Sequence, residues 1–263
     1  MRRDVSILRG CQDILNTVSG PEGLKRVRSL HQKKYRDEQG LFLVQGRKLV
    51  EELLRSTFEV VALHATAEAA RDLGLKDAFI HPGHQLEKVG TLGSGNEVVA
   101  VVRKPKVTPM AAPAPQGLLL ALDGIADPGN LGTVLRIADR FGAEAVWCSE
   151  GSVEVFNPKC VGASMGSIFR VPVSYGPLAD ALTRMHAAGV HIYKAEGSGT
   201  DVFDVELKRP SVLVLGSESH GLSEAVMSGP GPSIAIPNWG GAESLNVAMA
   251  AAALCMEFAR RNR

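Results

Sequence analysis

The sequence has no apolar segment long enough to cross a membrane. The apolar run over residues 247–256 falls far short of the ~20 residues that a membrane-spanning helix needs. The first residues, MRRDVSILRG, also lack the apolar core of a secretory signal peptide. No C-x-x-C pair occurs among the cysteines, which are Cys11, Cys148, Cys160 and Cys255. Scattered thiols of this kind are typical of reduced proteins, so we expect a cytoplasmic location and no membrane partner.

Motifs of several common enzyme classes are also missing. No G-x-G-x-x-G follows the predicted strand at 118–122 and no G-x-x-x-x-G-K-[ST] is present, so ordinary dinucleotide or ATP binding is unsupported. The segment GASMG (162–166) fits the G-x-S-x-G pattern of serine hydrolases, but Ser164 follows a predicted helix, which reverses the required order. His81 and His84 have the spacing of metal ligands, but a proline and a glycine between them predict a turn, and no acid or cysteine completes the set. We therefore expect neither hydrolase chemistry nor a metal site.

A proline-rich segment divides the chain into two predicted domains. Residues 104–117, KPKVTPMAAPAPQG, contain little that could pack, which is typical of an extended linker. Before it, residues 1–103 alternate short predicted strands and helices, which favours a small α/β domain. After it, residues 118–263 alternate strands and longer helices, which predicts a mostly parallel sheet covered on both faces. The predicted fold class is therefore α/β throughout.

The pattern also predicts individual elements of the second domain. Strands are predicted over 118–122, 145–148, 169–173, 190–195, 212–215 and 233–236. One helix is predicted over 130–141, with Asn130 as its N-cap, and a closing helix is predicted to open at Glu243.

The front domain contains one strongly basic stretch, over residues 24–36, which we expect to be helical. It has no acidic residue, and its cations are Lys25, Arg26, Arg28, Lys33, Lys34 and Arg36. A solvated helix face and a phosphate-binding patch both fit this pattern, and the residues alone leave the two open.

Three loops with polar side chains follow predicted strands of the second domain, at the edge where parallel sheets bind ligands. The first, over 127–142, carries Asn130, with Gly132 and Arg136 opposite the apolar face of the predicted helix. A glycine one turn before an arginine costs helix stability, which favours close approach of a ligand beside the guanidinium. A solvated arginine fits the periodicity as well.

The other two loops carry an acid and a polar helix mouth. Glu218, in the loop over 213–223, comes where a strand ends and is either a ligand contact or a cap of the next helix. Ser244 and Asn246 precede the closing helix, where free backbone N–H groups and the positive end of the helix dipole favour chemistry.

The closing helix is apolar on two sides. One side is formed by Val247, Ala251, Leu254 and Phe258. The other is formed by Leu245, Met249, Ala252 and Met256. One side can face the sheet, whereas the other needs a second domain or a partner subunit, because the membrane alternative fails on length.

In this order and at these spacings, the three loops resemble the signature motifs of the SpoU (TrmH-type) RNA ribose methyltransferases of the SPOUT superfamily. The matching segments are NLGTVLRIADRFG (130–142), LVLGSESHGLS (213–223) and IPNWGGAESLNVAMA (236–250). The segment NPKCVGASMGSIFRVPV (157–173) is similar to the stretch between the first two motifs. The basic helix with FLVQGRKLVEELL (42–54) resembles the small L30e-like substrate-binding domain that often lies upstream.

This resemblance implies a trefoil-knotted methyltransferase domain that dimerises through the knot and methylates a ribose 2′-hydroxyl in RNA, ribosomal RNA above all. The implied cofactor is S-adenosylmethionine, held by Ala195, Gly197, Gly216, Ile236 and Leu245. Arg136 matches the arginine that helps to deprotonate the hydroxyl, and the other implied catalytic residues are Asn130, Glu218, Ser244 and Asn246. The RNA-binding residues it implies are Arg26, Arg28, Lys33, Lys34, Arg36 and Arg47.

The sequence leaves alternatives open for the role of Arg136 and for the function, and it departs from the family pattern at three positions. An arginine is a poor base at its usual pKa, so Arg136 acts directly, through an adjacent phosphate, or by orienting the ribose. The same chemistry on transfer RNA and a catalytically silent ribosome-assembly protein are the alternative functions. Gln45 stands where the family usually has glutamate, and Asn238 and Trp239 depart from the usual third motif. Trp239 is a candidate for stacking on a base or on adenine, or for packing.

Overall fold

The computed structural model describes residues 20–90, 96–105, 110, 115–241 and 244–261. They form two compact units. The first contains the described residues up to Pro105 together with Phe156–Phe169, and the second contains the rest. Residues 1–19, with Cys11, lie outside the described residues, as does most of the linker predicted at 104–117.

A four-stranded sheet forms the centre of the first unit. Its strands are β1 (Leu41–Gln45), β2 (Val60–Ala65), β3 (Phe79–Ile80) and β4 (Val98–Arg103). Their order is β1-β4-β2-β3, with β4 antiparallel to both neighbours and β2 parallel to β3. β1, at one edge of the sheet, and β4, between β1 and β2, are mostly apolar and almost wholly buried.

Within the described residues before Pro105, five short helices accompany this sheet. They are α1 (Gly20–Ser29), α2 (Lys33–Gln39), α3 (Arg47–Leu54), α4 (Ala67–Leu73) and α5 (Gly83–Glu87). The single basic helix predicted over 24–36 is therefore wrong, since the chain breaks between α1 and α2. Arg36 stabilises the break, because its Nη1 donates hydrogen bonds to the carbonyl oxygens of Leu30 and His31, at 2.9 and 2.8 Å.

The segment Phe156–Phe169 packs on the first unit through aromatic rings. It contains α7 (Pro158–Ser164) and a 3₁₀ turn, Ser167–Phe169. The ring of Phe156 lies 4.6 Å from that of Phe42, and Phe169 makes an edge contact with Phe58 at 5.3 Å. The strand predicted over 169–173 is wrong because Phe169 is anchored in this cluster, and the strand begins only at Val173.

The second unit is built on six parallel strands. They are β5 (Leu118–Asp123), β6 (Val146–Ser149), β7 (Val173–Gly176), β8 (His191–Asp201), β9 (Ser211–Gly216) and β10 (Ser233–Ala235). The order is β10-β8-β9-β5-β6-β7, and every pairing is parallel. β5 and β9 read as continuous apolar runs and are almost entirely buried, which is the pattern of strands with both faces covered. The predicted mostly parallel sheet is confirmed.

The helices of the second unit are α6 (Pro128–Phe141), α8 (Leu178–Ala187), α9 (Glu224–Met227) and α10 (Val247–Arg261), and α6 packs against α10. Two predicted helix starts are wrong. Asp127, not Asn130, is the N-cap of α6: its Oδ1 accepts the backbone N–H of Asn130 at 3.0 Å. The closing helix α10 begins at Val247, because Asn246 turns its Oδ1 onto the N–H of Ala248 at 3.0 Å. Ser244 and Leu245 lie outside the helix, and Glu243, where the helix was predicted to open, lies outside the described residues.

The two sides of α10 have different surroundings. The predicted buried side is confirmed, since Val247, Ala251, Leu254 and Phe258 are at most 4% exposed. The opposite side carries Met249, 66% exposed, and Met256, 59% exposed. None of the helices in the described residues is long and apolar enough to span a membrane.

Candidate active site

The carboxyl ends of β5 and β9 are tied together before the polar loops begin. Asp123 closes β5, and its Oδ2 accepts the N–H of Ser223 at 2.7 Å. Gly216 closes β9, and the chain then turns back through paired hydrogen bonds between Ser217 and Gly221, at 3.0 and 2.9 Å. A Cβ at Gly216 would lie 2.3 Å from the carbonyl carbon of Gly221, so only glycine allows this close approach.

Three polar side chains from the three loops meet in one hydrogen-bonded cluster. Asn130 Nδ2 donates to Glu218 Oε1 at 3.0 Å, and Asn246 Nδ2 donates to Asn130 Oδ1 at 3.1 Å. Asn246 Nδ2 also donates to the same Oε1 of Glu218. The loops meet because the strands that precede them are parallel and end at one edge of the sheet.

The cluster fixes the orientation of both amides. The Oδ1 atom of Asn246 accepts the N–H of Ala248, and its Nδ2 atom donates to Glu218 and Asn130. In both side-chain amides, therefore, the nitrogen faces an acceptor and the oxygen faces a donor. Both cluster contacts of Glu218 are made to Oε1, and within the described residues its Oε2 has no partner. The side chain of Glu218 is exposed and does not cap α9, whose N-cap is Ser223. An acceptor oxygen is therefore held ready for a ligand hydroxyl.

Arg136 is exposed on α6, six residues after Asn130, which is about 9 Å along the helix axis. No residue in the described ranges forms an ion pair or hydrogen bond with its guanidinium. Ser244 is also exposed, two residues before Asn246. Gly132, predicted to share the exposed face with Arg136, is instead buried. The fork of Arg136 is thus available for an anionic group.

The residues predicted to bind the cofactor belong to β8, to the end of β9 and to the loop after β10. Ala195 pairs with Leu215, next to Gly216. The register of β8 with β10 jumps from Lys194 to Thr200, so residues 195–199 bulge out of the ladder and carry Ala195 and Gly197 with them. Ile236 directly follows β10 and is half-buried. Leu245, beyond it in the third loop, is 51% exposed.

Buried thiols of this unit are chemically quiet. Burial raises the pKa of the Cys148 thiol, on β6, to about 12, and it raises that of Cys255, on α10, to about 12 as well. At neutral pH both thiols are protonated and therefore poor nucleophiles or metal ligands. In the described part of the chain, no group of three His, Cys, Asp or Glu residues is placed to hold a metal ion.

The predicted RNA-binding cations of the first unit differ in their exposure and in their ion pairs. Arg26 and Arg28 are exposed on α1. Lys33 and Lys34 are exposed on α2 and pair with Asp37 and Glu38, at 2.5 and 3.9 Å. Such exposed pairs are weak and exchange readily with other anions.

Arg36 and Arg47 are more strongly engaged. Arg36 is 2% exposed, and its guanidinium donates hydrogen bonds to backbone carbonyl groups. A side chain this buried does not present its charge to RNA, so the structure does not support the prediction that Arg36 binds RNA. Arg47 faces three carboxylates, those of Glu97, Asp72 and Glu68, at 2.6, 2.5 and 3.7 Å. Its hydrogen bonds to Glu97 and Asp72 raise its pKa, and an RNA phosphate would have to compete with them.

The SpoU rRNA Methylase family matches residues 117–256, which include every residue of the cluster. This chain belongs to the SpoU rRNA methylase family. The MRM3-like substrate binding domain matches residues 22–105 of the first unit. Known families therefore match the chain both before and after the proline-rich segment.

Relatives of this SpoU protein include enzymes of known target and structures with cofactor. The 23S rRNA (guanosine(2553)-2′-O)-methyltransferase RlmP of Bacillus subtilis (strain 168) is 31% identical over 88% of this chain and 93% of its own length. The AviRb methyltransferase of Streptomyces viridochromogenes, in complex with AdoMet, is 28% identical with a TM-score of 0.81, covering 90% of this chain and 97% of that one. An AdoMet-bound rRNA methyltransferase of Sinorhizobium meliloti is 28% identical with a TM-score of 0.82, covering 91% and 95%.

The first unit of the SpoU protein has a basic cavity that the sequence patterns missed. The cavity has a volume of about 590 Å³, and its lining includes Lys25, Arg28, His31, Tyr35 and Lys88. Lys34 Nζ also lies 5.9 Å from the centre of the Tyr35 ring. Cations around an aromatic ring suit a nucleic acid, which offers both phosphates and stacking faces. Lys88 was missed because it lies far from the basic stretch in the chain.

Proposed function

We propose that this SpoU protein transfers the methyl group of S-adenosylmethionine to a ribose 2′-hydroxyl of ribosomal RNA. The observation that carries the proposal is the cluster of Asn130, Glu218 and Asn246, in which side chains from three separate loops leave an acceptor oxygen of Glu218 open. Family membership and the relatives named for 23S rRNA 2′-O-methylation support the same reaction.

The proposed cofactor site combines residues of β8, the end of β9 and the loop after β10. Ala195 and Gly197 in the bulge, Gly216 at the end of β9, and Ile236 and Leu245 in the third loop are the residues that would hold it. Two of them are glycines, which let a ligand approach the backbone, and Leu245 offers an exposed apolar side chain. When bound, the sulfonium supplies the methyl group and becomes a thioether.

The side chains of the protein orient the ribose and manage the proton. The 2′-hydroxyl oxygen forms a bond to the methyl carbon as the carbon–sulfur bond breaks, and the hydroxyl proton passes to solvent water. Glu218 Oε2 accepts a hydrogen bond from a ribose hydroxyl, and Ser244 provides a second polar contact. Arg136 binds a phosphate next to the target ribose, since a guanidinium is a poor base and its exposed planar fork suits phosphate. Fixing both reactants in line supplies a large part of the rate.

Three finer features belong to the same proposal. The protein acts as a homodimer, in which a second copy covers the side of α10 that exposes Met249 and Met256. The carboxyl-terminal part of the second unit forms the deep trefoil knot that the resemblance implies. The enzyme works in the cytoplasm, in line with the bacterial source of its relative RlmP.

Incubation with methyl-labelled S-adenosylmethionine and separate ribosomal and transfer RNA tests the function. We expect label in ribosomal RNA, retained as 2′-O-methylnucleosides after digestion. Label in transfer RNA alone would favour the transfer RNA alternative. Calorimetry with the cofactor separates the silent assembly protein, which would bind RNA but show no cofactor binding.

A further inference from the structure

Trp239 has the largest exposed fraction, 85%, of the bulky apolar side chains in the described ranges. It lies in the third loop, between β10 and the cluster residue Asn246. The other tryptophan, Trp147, is 2% exposed within β6. An indole is usually largely buried, so its exposure beside a candidate active site indicates a partner outside the chain.

The residues next to Trp239 favour stacking of its ring on a planar ligand over packing against a protein surface. Asn238 Oδ1 accepts the N–H of Gly240 at 2.9 Å, which fixes a local turn on one side of the tryptophan. A Cβ at Gly241 would meet no described atom within 4 Å, so the chain at Gly241 is not closely packed against the rest of the described residues. The immediate neighbours Asn238 and Gly240 are exposed and not apolar, so the chain on either side of Trp239 does not extend its apolar surface.

We propose that Trp239 stacks on a nucleobase of the substrate RNA, at or next to the methylated nucleotide, and so holds the ribose at the cluster. The inference rests on the proposed function, because it describes how the proposed active site binds its RNA substrate. Every base has a π-face, so an indole can hold a nucleotide without reading its sequence, while the cluster contacts the sugar. Trp239 is a positioning residue in this scheme and touches neither the methyl group nor the hydroxyl.

Intrinsic fluorescence tests the contact directly, because the chain has two tryptophans and one of them is buried. We expect single-stranded oligoadenylate to quench the wild-type emission. The Trp239→Phe variant, which keeps only Trp147, should show no quenching. Polyphosphate, which carries charge but no base, should leave both proteins unchanged.

Kinetics distinguish stacking from a merely structural role. With ribosomal RNA, Trp239→Leu should raise KM roughly tenfold and change kcat less than about threefold, and Trp239→Phe should recover most of the lost affinity. The affinity for S-adenosylmethionine and the sedimentation coefficient should match those of the wild type.

Four results would overturn the inference. They are quenching by S-adenosylmethionine alone with weaker cofactor binding in Trp239→Leu, a shift of that variant from dimer to monomer, equal quenching by polyphosphate, and an unchanged KM for RNA. The first assigns the ring to adenine and the second to a second copy of the chain. A wild-type protein that is quenched by oligoadenylate but methylates no RNA would instead contradict the proposed function and leave the stacking contact in place.

Discussion

Asn246 Nδ2 donates a hydrogen bond to Asn130 Oδ1 across 3.1 Å, although the two residues are 116 positions apart in the chain. Glu218 Oε1 accepts from both amides. The contact joins the loop after β5 to the loop after β10, while Glu218 belongs to the loop after β9. Three loops of a parallel sheet are thereby held as one unit around an open carboxylate oxygen.

The Asn246→Asp variant should separate the two roles of this residue. The carboxylate still accepts the N–H of Ala248, so the start of α10 and the melting temperature should change little. It can no longer donate to Glu218 and instead repels it, so we expect activity to fall roughly tenfold to hundredfold. Asn246→Ala is the matched variant that loses the cap as well and should also melt earlier. Equal activity of Asn246→Asp and the wild type would show that the cluster is not part of the site.

Replacing Arg136 by alanine should remove turnover and leave cofactor affinity unchanged, because the guanidinium is exposed and no described residue pairs with it. Arg136→Lys should recover little, since a lysine lacks the planar fork that binds phosphate bidentately. Arg140→Ala, one turn further along the same helix, is the exposed control and should remain active. Single-turnover assays and calorimetry check the two quantities. A fully active Arg136→Ala would make this residue an ordinary solvated arginine.

Charge on the exposed side of α10 should disrupt assembly. Met249→Glu or Met256→Glu places a carboxylate where a second copy is expected, so we predict monomers with impaired activity by analytical ultracentrifugation. Ala225→Glu, on the exposed surface of α9, provides the control. A stable and fully active dimer of Met249→Glu would place the interface elsewhere.

Gly216→Ala should destabilise the second unit strongly. The added methyl group would lie 2.3 Å from the backbone of Gly221, so the turn after β9 must open and displace Glu218. Thermal unfolding should show a clear loss of stability together with lost activity. Gly151→Ala is the control, since a Cβ there meets nothing within 4 Å. Comparable melting of the two variants would contradict the close packing at Gly216.

The first unit should lose stability in mild acid because of His64. This side chain is fully buried, and burial, followed by the charge of His81, lowers its pKa from 6.5 to about 4. The unfolded chain therefore binds the proton more tightly, and stability falls as pH drops from about 6.5 to about 4, by up to ~3 kcal/mol. His64→Leu removes the titrating group, and its unfolding free energy should depend less on pH in this window. An identical pH dependence of the two proteins would rule out His64 as the cause.

The sequence patterns predicted the parallel sheet correctly, because its strands are short apolar runs separated by helices with one apolar face. They failed where two local solutions compete. Asp127 and Asn130 are both good helix caps, and the structure uses the first. Phe169 reads as a strand residue, but contact with Phe58 draws it into a 3₁₀ turn.

Burial and long-range contact were the hardest features to foresee. Arg36 sits in a run of exposed cations, and nothing in the run shows that its guanidinium turns inward to carbonyl groups. The resemblance to known motifs named Asn130, Glu218 and Asn246 individually. Their joining into one hydrogen-bonded cluster depends on strand order and on loop shape, which no local pattern contains.

Nucleoside analysis of ribosomal RNA, after incubation with the protein and methyl-labelled S-adenosylmethionine, tests the proposed function most directly. We predict label in 2′-O-methylnucleosides, and loss of that label with the Asn246→Asp variant. Label on a base carbon or nitrogen, or label in ribose that persists in full with Asn246→Asp, would contradict the proposed function.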